Sequence, residues 1–143
     1  MKQPGKIRVK VFGLIRDKER LFVSEDYDRV KQEKYYRALG GSIEFGETSH
    51  AALQREFKEE IQAELINIRY LGCRENLFTC EGKPGYEIVQ VYECDFFGFK
   101  FYKIEKLVFF EAGNSQHKAM WIDIFRFKSG ELRLVPKQFA DYV

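Results

Sequence analysis

Three glutamates, Glu56, Glu59 and Glu60, are crowded into one short stretch of this chain, residues 40–63. Residues three and four apart are neighbours on one face of a helix, and like charges placed so closely repel each other. A hard cation such as Mg²⁺ would reverse the sign of that interaction, because it takes oxygen ligands and commonly bridges protein carboxylates to substrate phosphates. We therefore interpret this stretch as a divalent-metal and phosphate site.

The carboxylates need a helix to bring them to one face, and the sequence predicts one. Thr48 or Ser49 can accept a hydrogen bond from the first turn and so begin the helix. Leu53, Phe57 and Ile61 repeat every four residues and form an apolar stripe, which indicates a helix packed on a core.

The helical geometry separates the three carboxylates. With roughly 100° per residue, Glu60 projects about 20° from Leu53, Glu56 about 60° and Glu59 about 120°. Glu60 is thus predicted at the edge of the buried stripe, where an unpaired carboxylate is costly. A salt bridge or a metal could satisfy it, and simple solvation of the acidic face is the alternative for residues at the rim.

The spacing around these acids is more specific than an acidic helix. Gly41 is followed after five residues by Glu47, and after seven more by the run Arg55-Glu56-Phe57-Lys58-Glu59-Glu60. This resembles the Nudix box of the MutT-like hydrolases, which continues with any residue, glycine and an apolar residue. Gln62 stands at that second glycine position and Ala63 at the apolar one. The departure affects the predicted end of the helix and removes no coordinating group.

The resemblance extends beyond the box to residues 35–41, to residues 81–93 and to the final Trp121-Ile122. Family membership implies an α+β fold, the Nudix α/β/α sandwich with a mixed central sheet. The prevalence of predicted strands beside one strong helix also favours a mixed sheet with helices packed on it. At 143 residues, we expect one domain over residues 1–143.

The same resemblance implies an activity and roles for the box residues. It implies hydrolysis of a nucleoside diphosphate linked to another group, through attack of water on a phosphorus, with Mg²⁺ or Mn²⁺ as the cofactor. Glu56, Glu59 and Glu60 would be catalytic metal ligands, with the Gly41 carbonyl as an addition and Glu56 also as a candidate base. Glu47 and Arg55 would pair and orient the helix.

The substrate-binding residues are less specified. The candidates are aromatic residues that could stack on a base, an arginine for phosphates, and glutamates outside the box that could add a metal ligand. For binding we single out Arg37, Tyr35, Phe78, Tyr86, Glu87 and Glu111, with Tyr27, Arg8, Arg74 and Glu105 as further candidates. Packing in the sheet is the alternative for each aromatic residue, and an ordinary surface charge for each of the others.

Composition limits the partners. A net charge of +2 is too small to argue for nucleic acid or a membrane, and no apolar run reaches membrane-spanning length. The three cysteines fit neither a disulfide framework nor a zinc knuckle, so we expect reduced thiols in a cytoplasmic protein. The expected partner is a small-molecule nucleotide. Family habit adds a homodimer, with an exposed edge at Phe99, Phe101 or Phe109.

An alternative function is a catalytically weak Nudix-like module that binds a nucleotide or acts as a sensor. Gln62 is the box feature that favours it, and the four retained glutamates together with Arg55 argue against it.

The remaining pattern predicts the other elements. Alternating or apolar runs predict strands at 7–16, 21–23, 35–39, 64–71, 86–97 and 119–127, the last of these turning into a short helix. Polar or glycine-rich runs predict loops at 24–34 and 75–85, and an exposed loop or a ragged strand at 98–117. Pro136 is expected to open a terminal helix.

Overall fold

One mixed sheet forms the centre of the structure, a computed structural model that describes residues 5–111 and 115–143. Its strands are β1 (Ile7–Asp17), β2 (Arg20–Asp28), β3 (Glu33–Arg37), β4 (Leu39–Ser42), β5 (Leu65–Cys80), β6 (Lys83–Phe96), β7 (Lys106–Phe110) and β8 (Gln116–Asp123). The helices are α1 (Ser49–Ile61), α2 (Ile124–Lys128) and two 3-10 helices, Lys100–Lys103 and Lys137–Tyr142. In the described ranges, no helix is long and apolar enough to cross a membrane.

The strands follow the order β5-β6-β1-β2-β8-β7, with β3 paired to β2 and β4 paired to β1. Strands β1 and β6 run parallel, whereas the other pairs are antiparallel. β1 and β2 pair only beside their turn, where Arg16 lies opposite Leu21 and Asp17 opposite Arg20. Beyond that point the two strands separate, so that β1 joins β4 and β6 while β2 joins β3 and β8.

Helices cover both faces of this sheet. Val11 and Ile15 of β1 belong to the same buried cluster as Phe57 of α1. The alternate residues of β1, such as Phe12, belong to a second cluster with Phe139 of the C-terminal 3-10 helix. Side chains therefore leave the central strand toward a helical layer on each side, which confirms the α/β/α sandwich with a mixed sheet.

Helix α1 begins and ends by local hydrogen bonding. Thr48 is the N-cap, and its Oγ1 accepts a hydrogen bond from the Ala51 N–H at 3.1 Å. At the other end, Gln62 has φ of 53° and donates its N–H to Lys58 and Phe57 carbonyls. This left-handed conformation is the one that glycine usually supplies after a helix. The helix therefore ends where the box pattern has its second glycine, although glutamine replaces that glycine.

Two predicted loops are wrong, because strand pairing extends into them. β2 and β3 occupy most of 24–34, and β5 and β6 occupy nearly all of 75–85. In the second case Phe78 pairs with Gly85, and a Cβ on that glycine would lie 2.3 Å from the Phe78 ring. Cross-strand packing of this kind overrides a local turn signal. The segment 98–117 contains a 3-10 helix and the short strand β7, which agrees with the ragged strand rather than the loop. Residues 112–114 of the predicted segment 98–117 lie outside the described residues.

The expected exposed apolar edge also differs. Phe99 is 78% exposed, but Phe101 and Phe109 are buried. Phe101 stacks on Phe96 with ring centroids 4.6 Å apart, and Phe109 stacks on His117 at 5.5 Å. Both rings are therefore part of the fold's interior and do not supply the surface that was predicted for a dimer.

Candidate active site

Arg55 lies at the centre of a network of acids. Its Nε and Nη2 donate to the two carboxylate oxygens of Glu47 at 2.9 and 2.6 Å, which is a bidentate pair. Its Nη1 donates to Glu56 at 3.1 Å and to Glu59 at 3.2 Å. Nη2 also donates to the Ser42 carbonyl of β4 at 2.9 Å. One guanidinium thus fixes α1, the strand before it and the connecting loop relative to each other.

Glu47 is held in its ionised form by this pair. The Arg55 hydrogen bonds, with the Glu44 N–H that donates to Glu47 at 2.9 Å, lower the pKa of Glu47 to about 2. The charge of Glu47 is consequently neutralised by Arg55 at any ordinary pH. This geometry suits Glu47 to orienting Arg55 better than to transferring a proton.

Glu56 lies directly against the backbone of β4. A Cβ placed on Gly41 would come within 2.4 Å of the Glu56 Cδ. The absence of a side chain at Gly41 is what lets this carboxylate approach the strand. Burial raises the pKa of Glu56, although the neighbouring Arg55 acts in the opposite direction.

Glu60 and Glu59 have different surroundings despite being adjacent. Burial, reinforced by the facing carboxyls of Glu111 and Glu56, raises the pKa of Glu60 to about 9. The Glu59 side chain is 62% exposed and is turned toward Arg55. Within residues 5–111 and 115–143, no three His, Cys, Asp or Glu side chains converge closely enough to hold a metal ion in these conformations. A small cavity lies between Glu60 and Glu111 and is also lined by Arg37 and His117.

His117 lies beside the Glu111 carboxylate. Its Nε2 lies 2.8 Å from Glu111 Oε1, though without the N–H alignment of a hydrogen bond, and its Nδ1 lies 3.6 Å from Asp26. No sequence pattern identifies a partner for this histidine. The structure thus places it between two carboxylates, beside the cavity that contains Glu60.

A second cavity, of about 360 Å³, shares Arg37 with the first, since this residue lines both. Tyr35, Phe78 and Glu87 line this second cavity, so four of the predicted substrate-binding residues meet there, while Glu111 lines the smaller cavity beside it. Tyr86 does not line either cavity, because its hydroxyl is directed to Glu75, to which it donates at 3.3 Å.

The other substrate candidates are placed elsewhere. Arg74 forms an ion pair with Asp141 at 2.8 Å, and Tyr27 lines a separate shallow cavity. A larger cavity of about 720 Å³ lies beside the C-terminal end of β1, near Arg16, and none of the acids of α1 line it. This larger cavity is therefore a weaker candidate for the substrate site than the second cavity, which is smaller but shares Arg37 with the cavity that contains Glu60.

Sequence reasoning missed two residues of this region, Lys10 and Asn76. Lys10 lies opposite Ser42 across β1 and β4, and its Nζ donates to the Ser42 hydroxyl at 3.1 Å. Burial, followed by the positive charge of Arg37, lowers the pKa of Lys10. Asn76 lines the second cavity but fell within a predicted loop. No local signal identifies either residue, because strand pairing places both.

Comparison with known proteins decides the family. The family model for the NUDIX domain matches residues 6–129. This chain belongs to the NUDIX domain family. Membership confirms the resemblance drawn from the Gly41–Glu60 spacing. This chain is accordingly a pyrophosphohydrolase that acts on acid anhydrides.

Solved structures agree on the fold. A NUDIX hydrolase from Nitrosomonas europaea is 18% identical with a TM-score of 0.64, and the match covers 96% of this chain and 88% of that one. The E. coli ORF135 protein is 14% identical, with a TM-score of 0.54 and coverages of 94% and 85%. A MutT structure described for Aliivibrio salmonicida and Vibrio cholerae is 17% identical, with a TM-score of 0.54 and coverages of 87% and 86%. A search of curated proteins found no match.

Proposed function

We propose that this Nudix domain hydrolyses the diphosphate linkage of a nucleoside di- or triphosphate, or of a nucleotide-sugar-like derivative, with Mg²⁺ or Mn²⁺ as cofactor. The observation that carries the proposal is the placement of Glu60, whose half-buried carboxyl faces two others and has a pKa of about 9. Such a cluster is unfavourable in ionised form without a cation. A divalent ion would remove that penalty, so the residues fit the group.

The donor set is that of a hard cation. Glu56 and Glu60 would hold the ion, with Glu59 after a turn of its side chain away from Arg55, and with the Gly41 carbonyl as an addition. Glu111 is the candidate ligand from outside the box. When bound, the metal neutralises charge on the phosphate oxygens and lowers the pKa of a coordinated water.

The chain's own groups supply the rest. Arg55 holds Glu56 from one side and so directs its carboxylate toward β4. In this position Glu56 is suited to accept a proton from water. Arg37 and Lys10 place positive charge beside the carboxylates and would bind phosphate oxygens. The cavity lined by Tyr35 and Phe78 would hold the nucleoside part.

The second candidate, a nucleotide-binding or sensor module, rested on Gln62. The structure weakens that argument, since α1 ends at Gln62 in the left-handed conformation that the pattern's glycine would adopt. Binding without turnover remains the outcome that would favour it.

A panel of nucleotides tests the proposal. We expect Mg²⁺-dependent release of a nucleoside monophosphate from at least one compound. Glu60→Gln should remove most of the activity, whereas Glu64→Gln, an exposed glutamate just beyond α1, should not. Absence of turnover across the panel at mildly alkaline pH, with nucleotide binding retained, would instead support the binding module.

A cytoplasmic location and a homodimer stay predictions. Cell fractionation and size-exclusion chromatography would test them separately.

A further inference from the structure

Two buried polar side chains in the second cavity lack protein partners. Asn76 is 7% exposed and Glu87 is 8% exposed, and they lie opposite each other on β5 and β6. Both line the cavity of about 360 Å³. Neither side chain takes part in a hydrogen bond or ion pair within residues 5–111 and 115–143, and their polar atoms are not among those sealed from solvent, so they are open to the cavity.

Two other polar residues of the described part of the chain are buried as whole residues, Ser24 and Asp28, and the protein itself satisfies both. The Ser24 hydroxyl donates to the Arg37 carbonyl at 3.4 Å. The Asp28 carboxylate accepts hydrogen bonds from backbone N–H groups, including that of Glu81 at 3.1 Å. Of these four residues, Asn76 and Glu87 are the two whose polar groups are left to the cavity, whereas the sealed unpartnered atoms, His117 Nε2 and Gln138 Oε1, belong to partly exposed residues. A ligand that displaces water from the cavity must replace the hydrogen bonds of these groups, and a carboxylate left without a donor is the most costly of them.

The nearby positive charges do not contact Glu87. Lys10 is close enough for the charge of Glu87 to act on it, but its ammonium donates to Ser42 at 3.1 Å. Arg133, another cation of the cavity wall, is paired with Glu33. Glu87 therefore presents a carboxylate whose natural complement is a ligand with N–H donors.

We infer that Glu87 and Asn76 select a guanine base, an inference that rests on the nucleotide substrate of the proposed function. A carboxylate offers two acceptor oxygens and no donor when ionised. Guanine presents N1–H and the N2 amino group side by side, which match those two oxygens. Its neighbouring O6 accepts from the Asn76 amide. One base edge thus satisfies both side chains.

Other bases satisfy the pair less well. Adenine would place its N1 lone pair against the carboxylate, so that two acceptors face each other. Cytosine offers one amino group, which leaves one oxygen of Glu87 without a donor. A site with buried polar groups strongly rejects a ligand that cannot complete its hydrogen bonds.

The rest of the cavity fits this orientation. Tyr35 and Phe78 provide apolar ring surface for the faces of a base. Arg37 lies where this cavity meets the one that contains Glu60. A guanine on Glu87 therefore directs its phosphates past Arg37 toward α1.

A base series tests the inference with the intact protein. We would measure kcat/KM with Mg²⁺ for GTP, ITP, ATP and CTP. GTP should exceed ATP and CTP by at least about 100-fold, since the site's buried polar groups would remain unpaired with either. ITP lacks only the N2 amino group and should fall about tenfold below GTP, the effect of one hydrogen bond to a charged group.

The matched variants are Glu87→Gln and Glu75→Gln. Glu87→Gln replaces one acceptor oxygen with a donor and should bring the GTP to ATP ratio to within about tenfold of one. Glu75→Gln, an exposed change on β5 beside Asn76, should leave the ratio unchanged. Calorimetry with GMP and AMP in the absence of metal gives a readout that is independent of catalysis.

Each result decides between the two claims. Selective binding of GMP without turnover of any triphosphate would support the guanine site and overturn the proposed hydrolysis. Turnover without base preference, preference for CTP or ATP, or unchanged selectivity in Glu87→Gln would overturn the guanine site and leave the hydrolase proposal intact. If the unmodified protein neither hydrolysed any of the triphosphates nor bound GMP, the guanine site and the proposed hydrolysis would both be overturned.

Discussion

Replacing Gly41 with alanine tests whether the position of the Glu56 carboxylate controls activity. The new methyl group would lie 2.4 Å from Glu56 Cδ and 2.5 and 2.6 Å from its two oxygens. Gly41 is not in the left-handed region, so alanine suits the backbone there and the contact is the main perturbation. The contact falls 0.6 Å short of the 3.0 Å minimum seen for real Cβ atoms.

This shortfall must be relieved by moving Glu56 or by separating β4 from α1. Arg55 holds Glu56 at 3.1 Å, so displacement of the carboxylate also disturbs that hydrogen bond. A misplacement of roughly 1 Å in a catalytic group can reduce the rate by about 100-fold. That factor corresponds to about 2.7 kcal/mol of activation free energy. We expect kcat/KM of Gly41→Ala to fall by that order.

The assay is Mg²⁺-dependent nucleotide hydrolysis, with the melting temperature measured in parallel. Gly5→Ala is the control, because a Cβ there meets nothing within 4 Å. Glu56→Gln retains the shape of the side chain and should lose activity even if Gly41→Ala proves unstable. Wild-type kinetics in a folded Gly41→Ala protein would refute the role given to this contact.

Two further predictions concern the acids and the end of α1. Because the pKa of Glu60 rises from 4.5 to about 9 on folding, its neutral form stabilises the fold, and metal-free protein should lose stability as the pH rises through this window. Glu60→Gln should remove that loss and raise the metal-free melting temperature at pH ~8.5, and a parallel decline of both proteins would contradict the assignment. Gln62→Gly relieves a left-handed glutamine and should stabilise the protein by about 1 kcal/mol, a shift of roughly 2–4 °C for a domain of this size. The activity of Gln62→Gly should be unchanged. A melting temperature below that of the unmodified protein would show that Gln62 is not strained.

The helix and the order of its carboxylates could be predicted because their determinants are local. The Thr48 cap and the four-residue apolar period define α1, and the angle from Leu53 distinguishes the half-buried Glu60 from the exposed Glu59. The box spacing then identified the family, as the NUDIX match confirms. All of these signals lie within one stretch of the chain.

Long-range strand pairing accounts for what the sequence did not reveal. Asn76 lies in the cavity because β5 continues past the polar residues that suggested a loop. Glu111 reaches the vicinity of Glu60 because it follows β7, which pairs with β8. The partner of a strand depends on packing with distant segments, and a local pattern contains little information on it.

The Asp28 carboxylate joins the tips of two hairpins, since it accepts from Lys31 in the β2–β3 turn at 3.0 Å and from Glu81 in the β5–β6 turn at 3.1 Å. Both Asp28 and Lys31 line the cavity that contains Glu87, yet they lie far along the chain from α1. Turns of this kind tolerate insertions and deletions better than packed elements do. A change in length at either tip would therefore remodel the cavity wall while the carboxylates of α1 stay in place. Ligand specificity can therefore change during evolution while the carboxylates that would cleave the bond are retained.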